Sequence, residues 1–209
     1  TRQIDLFPSE QAIFAGFNRT RKYKIGKASR ASFHIKIESA VDLSFPRRRE
    51  SRPGSPIRSG MTTEISDFIN LWSKNALKRG FWVPIKDQIK AMYETFGENA
   101  YLVLAYQKKE LIAGILMIIY GKTASYFYAA SSPAGRNLCA PSLLTWEAMK
   151  LAKKKGCTIF DFEGIYDDRF PQKSWQGFSY FKESFGGNVV SYPGRFIKTY
   201  GLLSRLLFL

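Results

Sequence analysis

Histidine occurs once in this chain and cysteine twice. Cys139 and Cys157 lie 18 residues apart, with no CxxC spacing and no histidine beside them. That scarcity excludes a zinc or disulfide framework and fits a reducing cytoplasm. His34 falls on the polar phase of an alternating segment and reads as a solvent-facing residue, not a catalytic one. Long apolar runs are missing too. Nothing approaches the roughly 20 residues that span a bilayer, and the nearest candidate, Leu202 to Leu209, is short and carries Arg205. No charged-then-apolar leader is visible, and the chain opens on Thr1 instead of Met; the expectation is a trimmed beginning without a signal peptide. Acidic residues are in deficit: 17 against 32 Lys and Arg leave +15, which favours nucleic acid, acidic lipid or a phosphorylated substrate as partner. Apolar residues are not in deficit. At 45% hydrophobic and 15% aromatic, 209 residues suffice for one substantial domain with a real core.

Along the chain, Ser9 reads as an N-cap before a helical pattern that places Ile13, Phe14 and Phe17 on one side. The pattern runs on into Arg19 to Arg30, too dense in Arg and Lys for an ordinary core helix. Phe33 to Ile37 alternates as a strand. Residues 45–62, with three prolines and little to bury, read as a disordered surface insert. The insert resembles the peptide left by a palindromic repeat inserted in frame. Removing residues 46–60 lowers the net charge only from +15 to +11. Helices are predicted from Glu64 to Lys78 and from Ile85 to Phe96. Tyr101 to Tyr106, Leu111 to Tyr120 and Thr123 to Ala130 form an antiparallel meander, whose middle strand is apolar enough to be covered on both faces. A helix from Pro141 to Lys155 follows, then a strand from Thr158 to Phe162, a short helix and a last strand.

This order resembles that of the GNAT-type N-acetyltransferases, an α/β (α+β) fold with a mixed, mostly antiparallel sheet flanked by helices. Such enzymes hold the coenzyme A pyrophosphate on a turn of pattern R/Q-x-x-G-x-G/A at a helix N-terminus. The corresponding turn here is Arg136-Asn137-Leu138-Cys139-Ala140-Pro141, with cysteine for the first glycine and a proline that has no N–H to offer. Usual coenzyme A binding is therefore not expected.

The stretch from Tyr126 to Gly194 resembles a different group, the Fem family (FemA, FemB and FemX) of peptidoglycan-bridge aminoacyltransferases. The matching pieces are Tyr126 to Ser132, the helix positions Leu144, Trp146, Glu147, Ala152, Lys153 and Gly156, and Phe160-Asp161-Phe162-Glu163-Gly164. Gly177-Phe178, Phe181-Lys182, Phe185-Gly186-Gly187 and Tyr192-Pro193-Gly194 complete the ordered set. Weaker likeness covers Ile4-Asp5-Leu6 and the basic helix around Arg21. The resemblance implies transfer of an amino acid from aminoacyl-tRNA to the stem peptide of a cell-wall precursor, either UDP-MurNAc-peptide or its lipid-linked form. It requires no cofactor beyond aminoacyl-tRNA as co-substrate.

The resemblance also places roles. Lys182 would stabilise the oxyanion formed when an amine attacks the tRNA ester. The proton acceptor is left open among Asp161, Glu163, Asp167, Asp168 and water, with Asp161 and Glu163 taken as the catalytic carboxylates. Asp161 also alternates with Phe160 and Phe162, a pattern that would turn it to solvent. Arg21, Lys22, Tyr23 and Lys27 would clamp phosphate, and Arg136, Phe181 and Trp175 would bind substrate. Tyr128 and Trp146 read either as binding aromatics or as core. Fem proteins carry a further subdomain ahead of the matched region, which this single domain of residues 1–209 lacks. It is then a trimmed chain, a compact relative that dimerises, or a decayed fragment. The expected location is the cytoplasm, with peripheral contact at the inner membrane face. Two rival readings stay open: an N-acyltransferase using another acyl donor, and an inactive tRNA- or anion-binding fragment.

Overall fold

A computed structural model of the chain describes residues 1–40, 63–78, 85–169 and 173–193. The expected insert at 45–62 and the apolar end at 202–209 lie outside them. Strand β1 (Arg2–Asp5) leads into α1 (Glu10–Ala15), whose first turn is capped by Ser9 accepting from Ala12 N. Helix α2 (Arg19–Ala28) is a separate element, because Asn18 caps it through Arg21 N and breaks the run expected to be continuous. Then come β2 (His34–Ser39), α3 (Thr63–Lys78), α4 (Ile85–Phe96), β3 (Ala100–Gln107), β4 (Glu110–Tyr120) and β5 (Thr123–Ser131). A short helix not predicted from the sequence, α5 (Pro133–Asn137), runs into the expected turn at Arg136–Pro141 and is followed by α6 (Ala140–Lys154). Strand β6 (Ile159–Asp161), α7 (Gln176–Glu183) and β7 (Asn188–Val189) close the described fold.

The sheet runs β2-β3-β4-β5-β6-β1-β7, antiparallel everywhere except the β5–β6 pair. This is the mixed, mostly antiparallel sheet expected, with one addition. β1 inserts between β6 and β7, which places Gln3 opposite Asp161 and ties the chain's first residues to its last described strand. On one face α1, α2 and α6 cover a core built on Phe17, Ile25, Ile115, Leu144, Phe160 and Phe162; on the other, α3 and α4 cover Phe68, Ile89, Leu102 and Leu116. β4 is buried from Leu111 to Ile119, as its apolar run predicts, but Tyr120 is exposed. His34 is exposed and stacked on Tyr106. Among the described residues no helix is long and apolar enough to cross a membrane.

Phe185-Gly186-Gly187 has a structural explanation. Phe185 is buried against Phe17, Phe162 and Phe181. The left-handed backbone at Gly187 (φ +74°) lets it pass so close to β1 that a Cβ would lie 2.3 Å from Gln3 O.

Candidate active site

The parallel pairing of β5 and β6 lasts only from Thr123–Ile159 to Ser125–Asp161. Beyond it the two strands diverge, for two local reasons. In β5 the register against β4 slips by one at Phe127, since Leu116 faces Tyr128 while Met117 faces Tyr126. At β6, Glu163 adopts φ +61° and ends the strand. Into the wedge opens a cavity of about 640 Å³. Its walls come from β5, the Glu163-Gly164 turn, one face of α7, the start of α6, and Arg21 and Lys24 of α2.

Lys182 reaches this cavity from α7. It is 8% exposed, and its Nζ donates to Gly164 O at 2.6 Å and lies 4.9 Å from the Phe178 ring centre. Burial pulls its pKa down to about 8, partly countered by the charges of Glu163 and Asp161. Glu163 lines the same cavity; its carboxyl is pushed above the usual range first by desolvation and also by Asp161. A lysine lowered and a glutamate raised toward neutrality, across one cleft, suit proton transfer around a developing charge.

Asp161 departs from both of its expected roles. It is 7% exposed, not solvent-facing, because β1 covers it. Its Oδ2 accepts from Gln3 Nε2 at 2.7 Å; its Oδ1 accepts from Glu163 N at 2.7 Å and from the Thr1 hydroxyl. It does not line the cavity, and its carboxylate serves to hold the Glu163 turn. Asp167 is engaged by Arg169, which holds its carboxyl down to about 2 and leaves a poor base. Asp168 is exposed and, like Asp167, is not in the lining.

The expected phosphate clamp is rearranged. Arg21 lines the cavity, 4% exposed, but Lys22, Tyr23 and Lys27 do not. Lys22 Nζ instead donates to Ala15 O, and Tyr23 is 67% exposed. Lys24, passed over in the sequence, takes their place. It stands three residues after Arg21 and therefore on the same helical face, a spacing that was there to be read. Arg21 Nε donates to Ser184 Oγ at 2.8 Å and Nη2 to Phe181 O at 3.2 Å, while Nη1 donates to Ser142 Oγ. Its guanidinium carbon lies 4.1 Å from the Phe181 ring centre and 4.4 Å from that of Phe185.

Trp175, Tyr128, Phe181 and Arg136, expected to bind substrate or, for Tyr128, to be either binding aromatic or core, all line the cavity. Trp175 packs on Phe178, and Tyr128 meets the edge of Trp72, another lining residue not foreseen. Trp146 is core, wedged against Phe14 and Phe17. The turn before α6 uses its amides internally. Leu138 N bonds Ala134 O, Cys139 N bonds Arg136 O and Ser142 N bonds Cys139 O, and Pro141 has no N–H. Little remains for a pyrophosphate. Among the described residues no group of three or more His, Cys, Asp or Glu could hold a metal ion.

Residues 105–203 match the model of the FemAB family. No curated protein matches the sequence. Among solved structures, FemX superposes with a TM-score of 0.71 at 14% identity, covering 90% of this chain and 58% of that one. The C-terminal domain of a putative lysylphosphatidylglycerol synthetase from Agrobacterium fabrum gives 0.53 at 11% identity, covering 90% and 55%. An aminoglycoside acetyltransferase from an uncultured soil metagenomic sample, in complex with sisomicin, gives 0.51 at 14% identity, covering 81% of this chain and 97% of that one. At such identities these likenesses describe a shared fold, the GNAT-like one. The chain spans a little over half the length of the first two.

Proposed function

We propose that the chain is a member of the FemAB family, whose model matches residues 105–203, and that it is a peptidoglycan-bridge transferase that moves an amino acid from aminoacyl-tRNA to the stem peptide of a cell-wall precursor. The observation that carries this reading is the pairing of a buried Lys182 with Glu163 in one cavity whose other charged lining residues among those described, Arg21, Lys24 and Arg136, are all cations. In the proposed step the acceptor amine, once deprotonated, attacks the ester carbon of the aminoacyl-tRNA. The carbonyl becomes an oxyanion facing the Lys182 ammonium, and Glu163 takes the proton lost by the attacking nitrogen. Collapse breaks the ester C–O bond, and the terminal ribose oxygen leaves with the proton that Glu163 took from the nitrogen. The ester is already activated, so neither a nucleophilic triad nor a separate cofactor is required. Aminoacyl-tRNA and the precursor, soluble or lipid-linked, are the partners in this reading, at the cytoplasmic side with peripheral membrane contact. As the chain covers 58% of FemX, the rest of the acceptor site would be supplied by further chain or by a second copy.

Incubation with charged tRNA and either UDP-MurNAc-pentapeptide or lipid II should transfer radiolabelled amino acid to the precursor; absence of product with both acceptors would falsify the proposal. Acyl-coenzyme A should show no saturable binding, given the consumed amides of the 136–142 turn. Saturable binding would favour the rival N-acyltransferase reading.

The pH profile follows from the two shifted groups. Glu163 must be ionised to accept a proton, so the rate should rise through a pH above the ordinary carboxylate range. Lys182 must be charged to hold the oxyanion, so the rate should fall as its proton is lost near pH 8. Lys182→Arg should move the descending limb to higher pH, because a guanidinium keeps its charge there. An unmoved limb would remove Lys182 from that role. Deleting residues 46–60 should leave both transfer and tRNA affinity intact, as expected of a passenger insert; loss of either would make the insert functional.

A further inference from the structure

The sheet has two outer strands, and they differ. β7 is two residues long. β2 is six residues long, and among the described residues it pairs only with β3. Ala40 N donates to Ala100 O at 3.1 Å, and the register extends that bonded pairing to Glu38–Leu102, Lys36–Leu104 and His34–Tyr106. By alternation, the N–H and C=O groups of Ile35, Ile37 and Ser39 point away from β3, to the open edge. Among the described residues no turn or loop backbone group bonds them.

Outer strands are commonly kept from pairing by lysines, by proline or by a bulge. β2 has no proline, its register on β3 is unbroken, and its two charges are of opposite sign. Lys36 and Glu38 share the face toward α3, where Lys36 Nζ lies 3.1 Å from Glu38 Oε2 and also pairs with Glu64. On the other face Ile35 packs toward the core, and Ile37 is left 44% exposed.

We propose that β2 pairs antiparallel with β2 of a second copy, about a two-fold axis at Ile37. Ile37 exchanges both backbone bonds with its counterpart, and Ile35 exchanges both with Ser39 of the second copy. Lys36 then stands opposite Glu38 of the second copy, at the non-hydrogen-bonded positions where side chains across a ladder are closest. The charges choose this register. Centred one residue earlier or later, the backbones would still meet, but Lys36 would face Lys36 or Glu38 would face Glu38. The two exposed Ile37 side chains come together at the axis, an isologous contact. No residue of β2 lines the cavity, and β3 and β4 lie between β2 and β5, so the interface stands apart from the transferase reading. A single short strand pair is a small interface, which sets the expected dissociation constant on the order of 10 μM.

The test is sedimentation velocity of the full chain from about 1 to about 100 μM, where the wild type should pass from monomer to dimer. Ile37→Pro removes an outward N–H and leaves the ladder to β3 intact; it should weaken the dimer at least about tenfold. Lys36→Glu sets glutamate against Glu38 of the second copy and should weaken it similarly. Adding Glu38→Lys to that variant restores opposite charges across the axis and should recover most of the affinity. Both charge variants lose the pair with Glu64, so that loss cannot account for a difference between them. Thermal denaturation checks that each variant folds; if Ile37→Pro does not, the charge variants decide. The proposal is overturned if the wild type stays monomeric throughout. It is equally overturned if a folded Ile37→Pro or Lys36→Glu dimerises as the wild type does, or if the charge exchange recovers nothing.

Discussion

Replacing Lys182 with alanine is expected to lower aminoacyl transfer by about 10²–10³-fold, the usual effect of removing one group that holds an oxyanion. The size follows from where the ammonium sits. At 8% exposure it works with little screening by water, and its anchor at Gly164 O fixes it without neutralising it. A merely structural lysine predicts another pattern. Lys182→Met keeps most of the apolar stem and should retain the fold, measured by thermal denaturation, while losing the same rate. Lys182→Arg should retain part of it. Burial can be checked without any assay of transfer. A lysine held at about 8 when folded and 10.5 when unfolded leaves the unfolded state with more bound protons between those values. Stability should therefore rise with pH across that window, and Lys182→Met should abolish the rise. Equal transfer by wild type and Lys182→Ala would end the assignment.

Gly187→Ala should be among the most destabilising single changes at a position outside the cavity lining. Its φ of +74° costs an L-residue on the order of 1 kcal/mol. The added Cβ would also meet Gln3 O at 2.3 Å and the Ile4 Cδ1 at 2.4 Å. The first is backbone of a paired strand and cannot swing aside. With overpacking included, the loss should be about 3 kcal/mol, or roughly 6–12 °C in Tm for a domain of this size. The damage should also reach the site, since Gln3 holds Asp161 and Asp161 holds the Glu163 turn. Gly26→Ala is the contrast. A Cβ there meets nothing within 4 Å, and alanine in a helix interior should stabilise by about 0.5–1 kcal/mol. Denaturant titration of both variants separates the two effects.

Some of this was legible in the residues themselves. The meander from Tyr101 to Ala130 could be read because strand periodicity and short turns are local signals. The helices α3, α4 and α6 could be read because their apolar stripes recur at helical spacing, with Pro and Gly at the ends. Phe-Lys at 181–182 pointed to the cavity that Lys182 enters. Other features had no local signature. β1 is four residues long and pairs only with segments more than 150 positions away, so nothing nearby in sequence marks it as a strand. The burial of Asp161 depends on that strand, which is why alternation alone sent it to solvent.

What the sequence determined by itself, then, is the meander with the helices α3, α4 and α6, the two-faced core and the poor match of the 136–141 segment to the coenzyme A turn pattern. These rest on hydrophobic period, on proline's missing donor and on glycine's place at helix ends, all properties of neighbouring residues. Only the tertiary structure decided which cations share a cavity and which carboxylate faces them. It chose Arg21 and Lys24 over Lys22 and Lys27, and Glu163 over Asp161, because the divergence of β5 from β6 opens a single wedge. Side chains from segments distant in sequence reach that wedge, and their meeting is set by long-range pairing that no local pattern encodes.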